Sequence, residues 1–149
     1  EFPGFNFRMT NMQAAIGVAQ MEKIQILLKR RKDIFKVYDR LLKKEKKISL
    51  LPKNNWSENS YWLYTVMIDG IKSSERDKLL TNMQNQGIEC RPGFYSLNLM
   101  RAFKKYSKGS YKISNRLSES TLSLPTTSID RDEQKYIINT LISEIKRLN

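Results

Sequence analysis

The segment YWLYTVMID, residues 61–69, is the part of the sequence that decides the fold. Its aromatic and β-branched side chains favour a β-strand. Apolar side chains fall on both faces of that strand, so we expect it to lie in the middle of a sheet. Asp69 and Gly70 follow as a turn signal, which predicts that the strand ends there.

Downstream of this strand, helices and short strands alternate. Ser74 is predicted to cap a helix that runs to about Gln86, with Gly87 where a left-handed glycine closes a helix. IECRP, residues 88–92, is predicted as a short strand. The remaining predicted elements are a loop over residues 94–101, a short helix over 111–120, a short strand over 122–125, and a last helix over 131–147 behind the capping-box pair Asp130 and Glu133.

Upstream of the strand, the pattern predicts one long helix from about Thr10 to Lys44. Thr10 and Gln13 have the spacing of a capping box. Apolar residues then recur every three to four positions with one gap near Arg31, which predicts a bend or interruption around residues 29–32. A polar loop over residues 53–60 separates this helix from the strand.

The first turns of the long helix carry small side chains, namely Ala14, Ala15, Gly17 and Ala19. Small side chains allow another backbone to approach closely. We therefore expect this part to be buried against a surface that is not in this chain.

The order of predicted elements is helix, strand, helix, strand, loop, short helix, strand, helix. This order favours an α+β fold, a small antiparallel or mixed sheet covered by helices. The 149 residues suffice for a single domain with a packed core.

Composition excludes several kinds of site. His is absent and Cys90 is the only cysteine, which rules out an internal disulfide, a Cys/His zinc site and a Ser-His or Cys-His nucleophile pair within this chain. The sequence contains no run of about 20 apolar residues, so it predicts no membrane-spanning helix. The thiol of Cys90 is expected to be a small strand side chain rather than a reactive group. Trp62 and Tyr64 are expected in the core, with a base-stacking platform as the alternative.

The net charge of +12 leaves two interpretations open. One is an acidic partner such as nucleic acid, an anionic membrane or a phosphorylated ligand. The other is a lysine-rich surface without a specific partner, because the basic residues are scattered over several segments. A nucleic-acid-binding module would bind in a strongly salt-dependent way, but the sequence contains no recognised nucleic-acid motif.

GFNFRMT, residues 4–10, has the chemistry of a phosphate site. Gly4 permits close approach of the backbone, Asn6 offers a donor and an acceptor, and Arg8 offers a fork that suits phosphate. A helix N-terminus, which favours an anion, follows directly. The alternative is a capped helix with an arginine on its approach.

Four segments, in order, resemble the DegT/DnrJ/StrS sugar aminotransferases, a family of fold-type I enzymes that use pyridoxal phosphate (PLP). They are GFNFRMTNMQAAIGVAQMEKI at residues 4–24, NSYWLYTVMID at 59–69, RDKLLTNMQNQGIECRPGFYSLN at 76–98 and LSESTLSLPTT at 117–127. Together they span nearly the whole chain. Tyr61-Trp62, Arg91-Pro92 and Phe94-Tyr95 resemble the perosamine synthases most, which act on GDP-4-keto-6-deoxymannose.

This resemblance implies that residues 1–149 form the C-terminal small domain of a larger enzyme. In the family, the Lys that forms the Schiff base with PLP lies in a large domain absent from this chain, so no catalytic residue is expected here and the chain alone should not transaminate. The family transfers an amino group from a donor such as glutamate to a nucleotide-linked keto sugar. The resemblance also implies a homodimer, a cytoplasmic location and a role in O-antigen or lipopolysaccharide biosynthesis.

The family's functional positions can be matched one by one. Asn6 matches the Asn that reaches the PLP phosphate of the partner subunit, and Arg8 is expected near the mouth of the active site or in a structural ion pair. Arg91, Phe94 and Tyr95 match a loop close to the nucleotide sugar, with a turn packed by two aromatics as the alternative.

Four positions depart from the family pattern, the first being Ser96, where the family commonly has Pro. Asn98 stands where the family has His, and we include it among the substrate-binding candidates. Phe5 and Phe7 stand where Tyr is usual. These differences leave the substrate open. They also leave open a second hypothesis, a stand-alone binding module without catalysis.

Overall fold

The computed structural model describes residues 4–148 as an antiparallel four-stranded sheet covered by helices, with strand order β1-β2-β4-β3. This confirms the predicted α+β fold and settles the sheet as antiparallel. The helices are α1 (Asn11–Glu22), α2 (Ile24–Leu42), α3 (Ser73–Asn85), α4 (Lys112–Ser120) and α5 (Arg131–Arg147). The strands are β1 (Ile48–Ser49), β2 (Tyr64–Ile68), β3 (Arg91–Pro92) and β4 (Thr121–Leu124).

Strand β2 lies inside the sheet, as its apolar sequence predicts. It pairs with β1 on one side, where Ile48 faces Ile68, and with β4 on the other, where Val66 faces Leu122. The two-residue strand β1 was not predicted, because a strand this short has no period of its own and exists only through its pairing with β2. The hydroxyl of Ser49 also donates a hydrogen bond to the Asp69 carboxylate over 2.8 Å.

The core lies between the sheet and helices α2, α3 and α5. Two polar contacts fix how the helices sit in it. The hydroxyl of Tyr38 donates to the carbonyl oxygen of Pro125 over 2.8 Å, and the side-chain amide of Gln134 donates to the carbonyl oxygen of Ile34 over 2.9 Å. The fully buried apolar side chains include Tyr38, Leu42, Val66, Ile68, Leu79, Met83, Leu122, Ile138 and Leu141.

The predicted long helix is two helices, and the break lies at Lys23 rather than near residues 29–32. Lys23 leaves the helical conformation with φ −103° and ψ 0°, and its N–H bonds back to the carbonyl oxygens of Gln20 and Met21. No glycine or proline marks this site in the sequence. Helix α2 then continues unbroken to Leu42, two residues short of the predicted end.

The gap in the apolar pattern near Arg31 has a different cause. The Arg31 guanidinium donates to the carbonyl oxygen of Trp62 and to the hydroxyl of Thr126, each over 2.9 Å, and to the hydroxyl of Thr127 over 3.2 Å. Arg31 therefore lies on the contacting face of α2 as a polar clamp. The clamp joins the chain entering β2 to the chain leaving β4.

The helix ends test the predicted caps. The capping boxes of Thr10 with Gln13 and of Asp130 with Glu133 are both present. Gly87 adopts φ +76° after α3, as predicted for a closing glycine. The predicted cap by Ser74 is wrong, because the N-cap is Lys72, two residues earlier, and Glu75 accepts the N–H of Lys72 over 2.8 Å.

Helix α1 buries none of its residues among those described. Its small side chains face open space, and a Cβ added at Gly17 would meet nothing within 4 Å. The expectation that another surface covers this helix therefore stays a prediction. Within residues 4–148, no helix combines the length and the apolar character that crossing a bilayer requires.

Candidate functional site

The predicted substrate-binding residues Phe94, Tyr95 and Asn98 belong to a loop over residues 93–98, which we call the substrate loop. Gly93 begins it and donates its N–H to the carbonyl oxygen of Thr121 over 2.9 Å. A Cβ at Gly93 would lie 1.8 Å from the Thr121 hydroxyl oxygen, so only glycine lets the loop approach β4 this closely. The sheet therefore fixes where the loop starts.

The substrate loop forms one wall of a cavity of about 570 Å³, which we call the loop cavity. Phe94 is 76% exposed and Tyr95 56% exposed, so both rings are accessible to a ligand or to another chain. The cavity lining comprises Leu51, Thr65, Phe94, Tyr95, Leu97, Asn98, Tyr111, Ser114, Leu117 and Thr121. The structure thus brings together three of the predicted substrate residues.

The guanidinium of Arg76 lies against the ring of Tyr95. Its side chain is only 2% exposed and donates hydrogen bonds to the carbonyl oxygen of Ser118 and to the carboxylate of Asp77. The guanidinium lies 5.9 Å from the centre of the Tyr95 ring, within the range of a cation–π contact. A buried charge with these partners holds its position, so the Tyr95 ring rests on a fixed base.

Asn98 is held by its own loop. The hydroxyl of Ser96 hydrogen-bonds to the side-chain oxygen of Asn98 and also lies 2.7 Å from the hydroxyl of Ser114. Since the Asn98 oxygen is engaged, its amide N–H groups are the polar atoms that this side chain can offer to a ligand. This is a different chemistry from the imidazole that the family resemblance implies at this position.

Arg91 lies in a neighbouring cavity of about 320 Å³, together with Trp62, Glu89 and the Arg31 clamp. Its guanidinium is largely exposed and pairs with the Glu89 carboxylate at 2.9 Å. The ring of Trp62 lies 6.2 Å from that of Phe94 and joins this cavity to the substrate loop. The structure therefore places Arg91 beside the loop residues, but not within the loop cavity.

Trp62 corrects the expectation that it lies in the core. It is 63% exposed, whereas Tyr64 is buried as expected. The carbonyl oxygen of Trp62 is held by Arg31, so the exposed ring stands on a fixed backbone. Neither Trp62 as an exposed aromatic nor Arg31 as its support was predicted, although the polar residue that interrupts the apolar face of α2 was a visible signal for Arg31.

Asn6 and Arg8 lie apart from the substrate loop. Residues 4–8 surround a shallow surface of their own, which includes neither Arg91 nor any residue of the substrate loop. The Asn6 side-chain oxygen accepts the N–H of Arg8 over 3.1 Å. Within residues 4–148, Arg8 forms no ion pair, so the structural ion-pair alternative finds no partner there.

The segment over residues 4–10 can supply donors to a phosphate group. Asn6 and Arg8 are exposed, and the N–H groups of the Asn6 amide and the guanidinium remain available. The N–H groups of Thr10 and Gln13 are already used by the capping box. Among the described residues, the N–H groups of the first two residues of α1 donate to no such cap, so the two side chains and the start of α1 can both supply donors to a phosphate.

Cys90 has the environment of a structural thiol. It packs against the hydrophobic core, and burial raises the pKa of its thiol to about 12. The thiolate is the reactive form of cysteine, and burial strongly disfavours it here. The prediction of a thiol without a chemical role agrees with this burial, but its placement in a strand is wrong, because β3 begins only at Arg91.

The comparison with family models identifies the class of protein. Residues 1–142 match the DegT/DnrJ/EryC1/StrS aminotransferase family, and the chain belongs to this family. The sugar aminotransferase resemblance in the sequence is thereby confirmed.

Individual relatives make the comparison more specific. The chain is 32% identical over 142 residues to GDP-perosamine synthase of Vibrio cholerae, a match that covers 91% of this chain and 37% of that protein. It is 32% identical over 124 residues to GDP-perosamine synthase of Caulobacter vibrioides, covering 83% and 33%. The chain thus spans about a third of the length of these curated relatives.

Solved structures show the same fold. A sugar aminotransferase of Streptococcus pneumoniae, in its PMP form, superposes with a TM-score of 0.88 at 27% identity, over 95% of this chain and 36% of that one. The aminotransferase PseC of Helicobacter pylori superposes with a TM-score of 0.86 over 99% of this chain and 40% of that one. At 19% identity, the second match speaks for the fold alone.

Proposed function

We propose that this chain is the C-terminal small domain of a PLP-dependent nucleotide-sugar aminotransferase of the perosamine synthase type. The whole enzyme would transfer an amino group from glutamate to a 4-keto-6-deoxy sugar linked to a nucleoside diphosphate. The observation that carries this proposal is the 32% identity over 142 residues to a GDP-perosamine synthase. That match spans most of the chain, and the substrate loop presents two exposed aromatic rings in support.

Asn6 and Arg8 are the residues that would serve the cofactor. Asn6 would donate a hydrogen bond to the PLP phosphate held by the partner subunit, and Arg8 would add positive charge at the mouth of the site. PLP, when bound, supplies the electron sink for amino transfer, while the protein binds and orients it. The exposure of both side chains supports this role, because a group that serves another subunit must face outward.

The substrate loop and its neighbours would hold the nucleotide sugar. The Phe94 and Trp62 rings offer apolar faces for a base or a sugar, and Tyr95 stands on the Arg76 guanidinium. Arg91 suits the diphosphate, since a guanidinium binds phosphate oxygens in a bidentate manner. In this structure Arg91 pairs with Glu89, and both groups are exposed. An exposed ion pair contributes little free energy, so a diphosphate could take the place of Glu89.

The exposed apolar side chains of α1 would form the contact with the large domain and with the second subunit of a homodimer. Met12, Ile16 and Met21 are each more than 60% exposed along this helix. These side chains point in different directions around the helix, so large exposed apolar side chains are available on more than one side for contact with other surfaces. On this proposal, the chain requires that contact for catalysis and works in the cytoplasm.

The proposal is tested on the polypeptide that contains these residues as it is made in its own cells. Its intact mass is measured, and amino transfer from glutamate to GDP-4-keto-6-deoxymannose is assayed with PLP. We expect transfer by a protein well above 17.6 kDa and no turnover by the 149-residue chain alone.

Matched variants of two exposed phenylalanines then test the substrate loop. Phe94→Ala should raise the KM for the nucleotide sugar about tenfold, whereas Phe103→Ala, outside the loop cavity, should leave it within about twofold. Equal effects of the two variants on the KM would show that the substrate loop does not bind the nucleotide sugar. Absence of transfer to any 4-keto nucleotide sugar would overturn the proposed function and favour a binding module.

A further inference from the structure

A second cavity lies on the other side of Leu51 from the loop cavity, and we call it the side cavity. It measures about 510 Å³, within the range of 300–1,000 Å³ that is typical of small-molecule sites. One wall is a face of α2, formed by Lys32, Phe35, Lys36 and Asp39. The other wall comprises Leu51, Pro52, Lys53, Asn54, Ser57, Glu58, Asn59, Tyr61 and Tyr64, and only Leu51 also lines the loop cavity.

The floor of the side cavity is a rigid aromatic cluster. Phe35 and Tyr64 are buried, and their rings meet edge to face with 5.0 Å between centres. Tyr61 meets Phe35 in the same way at 5.1 Å, but it is only half-buried, so part of its ring faces the cavity. The buried Phe35 ring thus holds Tyr61, and the Lys32 ammonium lies over the Tyr61 ring, 5.7 Å from its centre. A flat ligand would stack on the open part of this ring beside Lys32.

The backbone at Tyr61 supports a positioned ring. Tyr61 adopts φ +54°, a left-handed conformation that bulky side chains rarely take. The Tyr61 N–H donates to the side-chain oxygen of Asn59 over 2.7 Å, which helps to hold this conformation. Residues in such conformations persist where their surroundings fix them, and they concentrate at functional sites.

Two lysines on α2 give the side cavity its charge. Lys32 and Lys36 are four residues apart, so their ammonium groups lie on the same helix face and repel each other. Their carboxylate partners are weak, since the Lys32–Glu58 and Lys36–Asp33 distances are 3.6 Å and 3.4 Å between exposed groups. A phosphate group between the two lysines would relieve their repulsion.

The carboxylate inside the side cavity is already neutralised. Asp39 accepts a hydrogen bond from the Tyr64 hydroxyl over 2.9 Å and one from the Lys53 ammonium over 2.6 Å. Lys32, Lys36 and Lys53 stand against the two lining carboxylates of Asp39 and Glu58, so the lining keeps one net positive charge. An anionic ligand therefore meets no unpaired negative charge on the α2 wall.

We propose that the side cavity binds a nucleoside monophosphate, with its base stacked on Tyr61 and its phosphate between Lys32 and Lys36. An aromatic wall, a pair of weakly engaged cations and the side chains of Asn54, Ser57 and Asn59 match the three parts of such a ligand, namely base, phosphate and ribose. This site is separate from the substrate loop. The proposal does not depend on the aminotransferase function.

The test is an NMR titration of the ¹⁵N-labelled 149-residue chain with AMP, adenosine and inorganic phosphate, each up to about 10 mM. We expect AMP to shift the amide signals of residues 51–61 and of the Lys32–Asp39 face of α2. AMP should bind at least about tenfold more tightly than either adenosine or phosphate, because only AMP engages both the ring and the lysines.

A charge-matched pair of double variants separates a site from general attraction to a basic protein. Lys32→Gln with Lys36→Gln should weaken AMP binding about tenfold. Lys29→Gln with Lys43→Gln removes the same charge from α2 and its C-cap outside the side cavity, and should change binding less than about twofold. The circular dichroism spectrum of each variant checks that the fold is retained.

Four outcomes would overturn the proposal. They are no binding of AMP, equal weakening by both double variants, phosphate binding as tightly as AMP, and AMP-induced shifts centred on the substrate loop. Because the readout is binding to this chain and not turnover, a failed titration would leave the proposed aminotransferase function unaffected. A failed transfer assay would likewise leave the proposal of AMP binding in the side cavity unaffected.

Discussion

Helices α1 and α2 follow each other with only Lys23 between them, yet they differ in what they bury. Helix α2 places Phe35, Tyr38 and Leu42 in the core, whereas α1 buries no residue among those described. Both helices are well formed, and α1 even has a complete capping box. The difference shows that local signals suffice to form a helix, while only a face that contacts the sheet makes it part of the domain.

The same contrast separates two kinds of apolar residue. Those from α2 onward stabilise the domain because burial removes their surface from water. Those of α1 leave the same kind of surface exposed and are therefore available to another chain or domain. The region from α2 onward thus carries the stability of the domain, and on the proposed function α1 would serve assembly.

The largest expected effect is a loss of core packing in the body of the domain. Leu141 in α5 is fully buried, so Leu141→Ala should lower the free energy of unfolding by about 2–5 kcal/mol. Ile16 in α1 is 63% exposed, so Ile16→Ala should change the free energy of unfolding by no more than about 0.5 kcal/mol. Urea unfolding of the 149-residue chain, followed by circular dichroism, measures both. Similar losses of stability for the two variants would contradict the conclusion that α1 contributes less to stability than the rest of the domain.

A smaller effect is expected where the substrate loop meets the sheet. Gly93→Ala would place a Cβ against the Thr121 side chain, so this crowding should cost about 1–3 kcal/mol and move the loop. The loss of stability is measured by urea unfolding, and the movement by the fluorescence of Trp62 and Trp56. Gly4→Ala adds the same methyl group where nothing lies within 4 Å and should leave both unchanged. An unchanged Gly93→Ala variant would show that the loop is not pinned to β4.

Alkaline pH should destabilise the body of the domain through its buried acidic groups. Burial raises the pKa of Cys90 from 9.0 to about 12 and also raises the pKa values of Tyr38 and Tyr64 above 10.0. In the unfolded chain these groups lose their protons first, so the unfolded state binds fewer protons above about pH 9. The free energy of unfolding should therefore be constant below pH 9 and fall progressively above it. Urea unfolding between pH 7 and pH 11 measures this, and stability that rises over that range would contradict the assignment.

The reactivity of Cys90 gives a second test of the raised pKa of its buried thiol. A pKa of about 12 against 9.0 lowers the thiolate fraction on the order of a thousandfold at pH 8. Alkylation by iodoacetamide should accordingly be slow in the folded chain and fast in urea. Rapid alkylation without urea would mean that the β3 region opens easily.

The smallest expected effect is a gain of stability in α1. Gly17 is a helical residue whose Cβ position is open, so Gly17→Ala should stabilise this chain by up to about 1 kcal/mol. In the complete protein, the same substitution should weaken subunit or domain association if another backbone packs closely on α1. Urea unfolding measures the first effect, and sedimentation of the native polypeptide measures the second. Unchanged association would contradict the proposed close packing on this helix.

Some elements could be predicted because their causes are local. The capping pairs Thr10–Gln13 and Asp130–Glu133 connect residues three apart, and the glycine at position 87 only has to adopt a positive φ. Strand β2 could be predicted because its side chains are apolar on both faces. Asn6, Arg8, Arg91, Phe94, Tyr95 and Asn98 remain predicted site residues. The structure places the last three around one cavity, with Arg91 beside it.

Other features could not be predicted because their causes lie far away in the sequence. Strand β1 exists only because Ile48 lies opposite Ile68. The gap at Arg31 is explained by contacts to Trp62 and Thr126, 31 and 95 residues away. The sequence left the exposure of Trp62 open only as an alternative, because residue type alone does not say which aromatic side chain of a strand-like segment the rest of the chain covers.

The sequence by itself determined the family, the α+β class and the capping-box starts of α1 and α5, because these depend on residue type and on neighbours a few positions apart. The tertiary structure alone decided which aromatic residues are core and which are exposed, and where the chain encloses cavities. The side cavity joins a face of α2 to a segment about twenty residues further along, and Tyr61 is held at it by the ring of Phe35, which in turn packs against Tyr64. The physical reason is that burial and enclosure belong to surfaces made by distant parts of the chain, which no local pattern encodes.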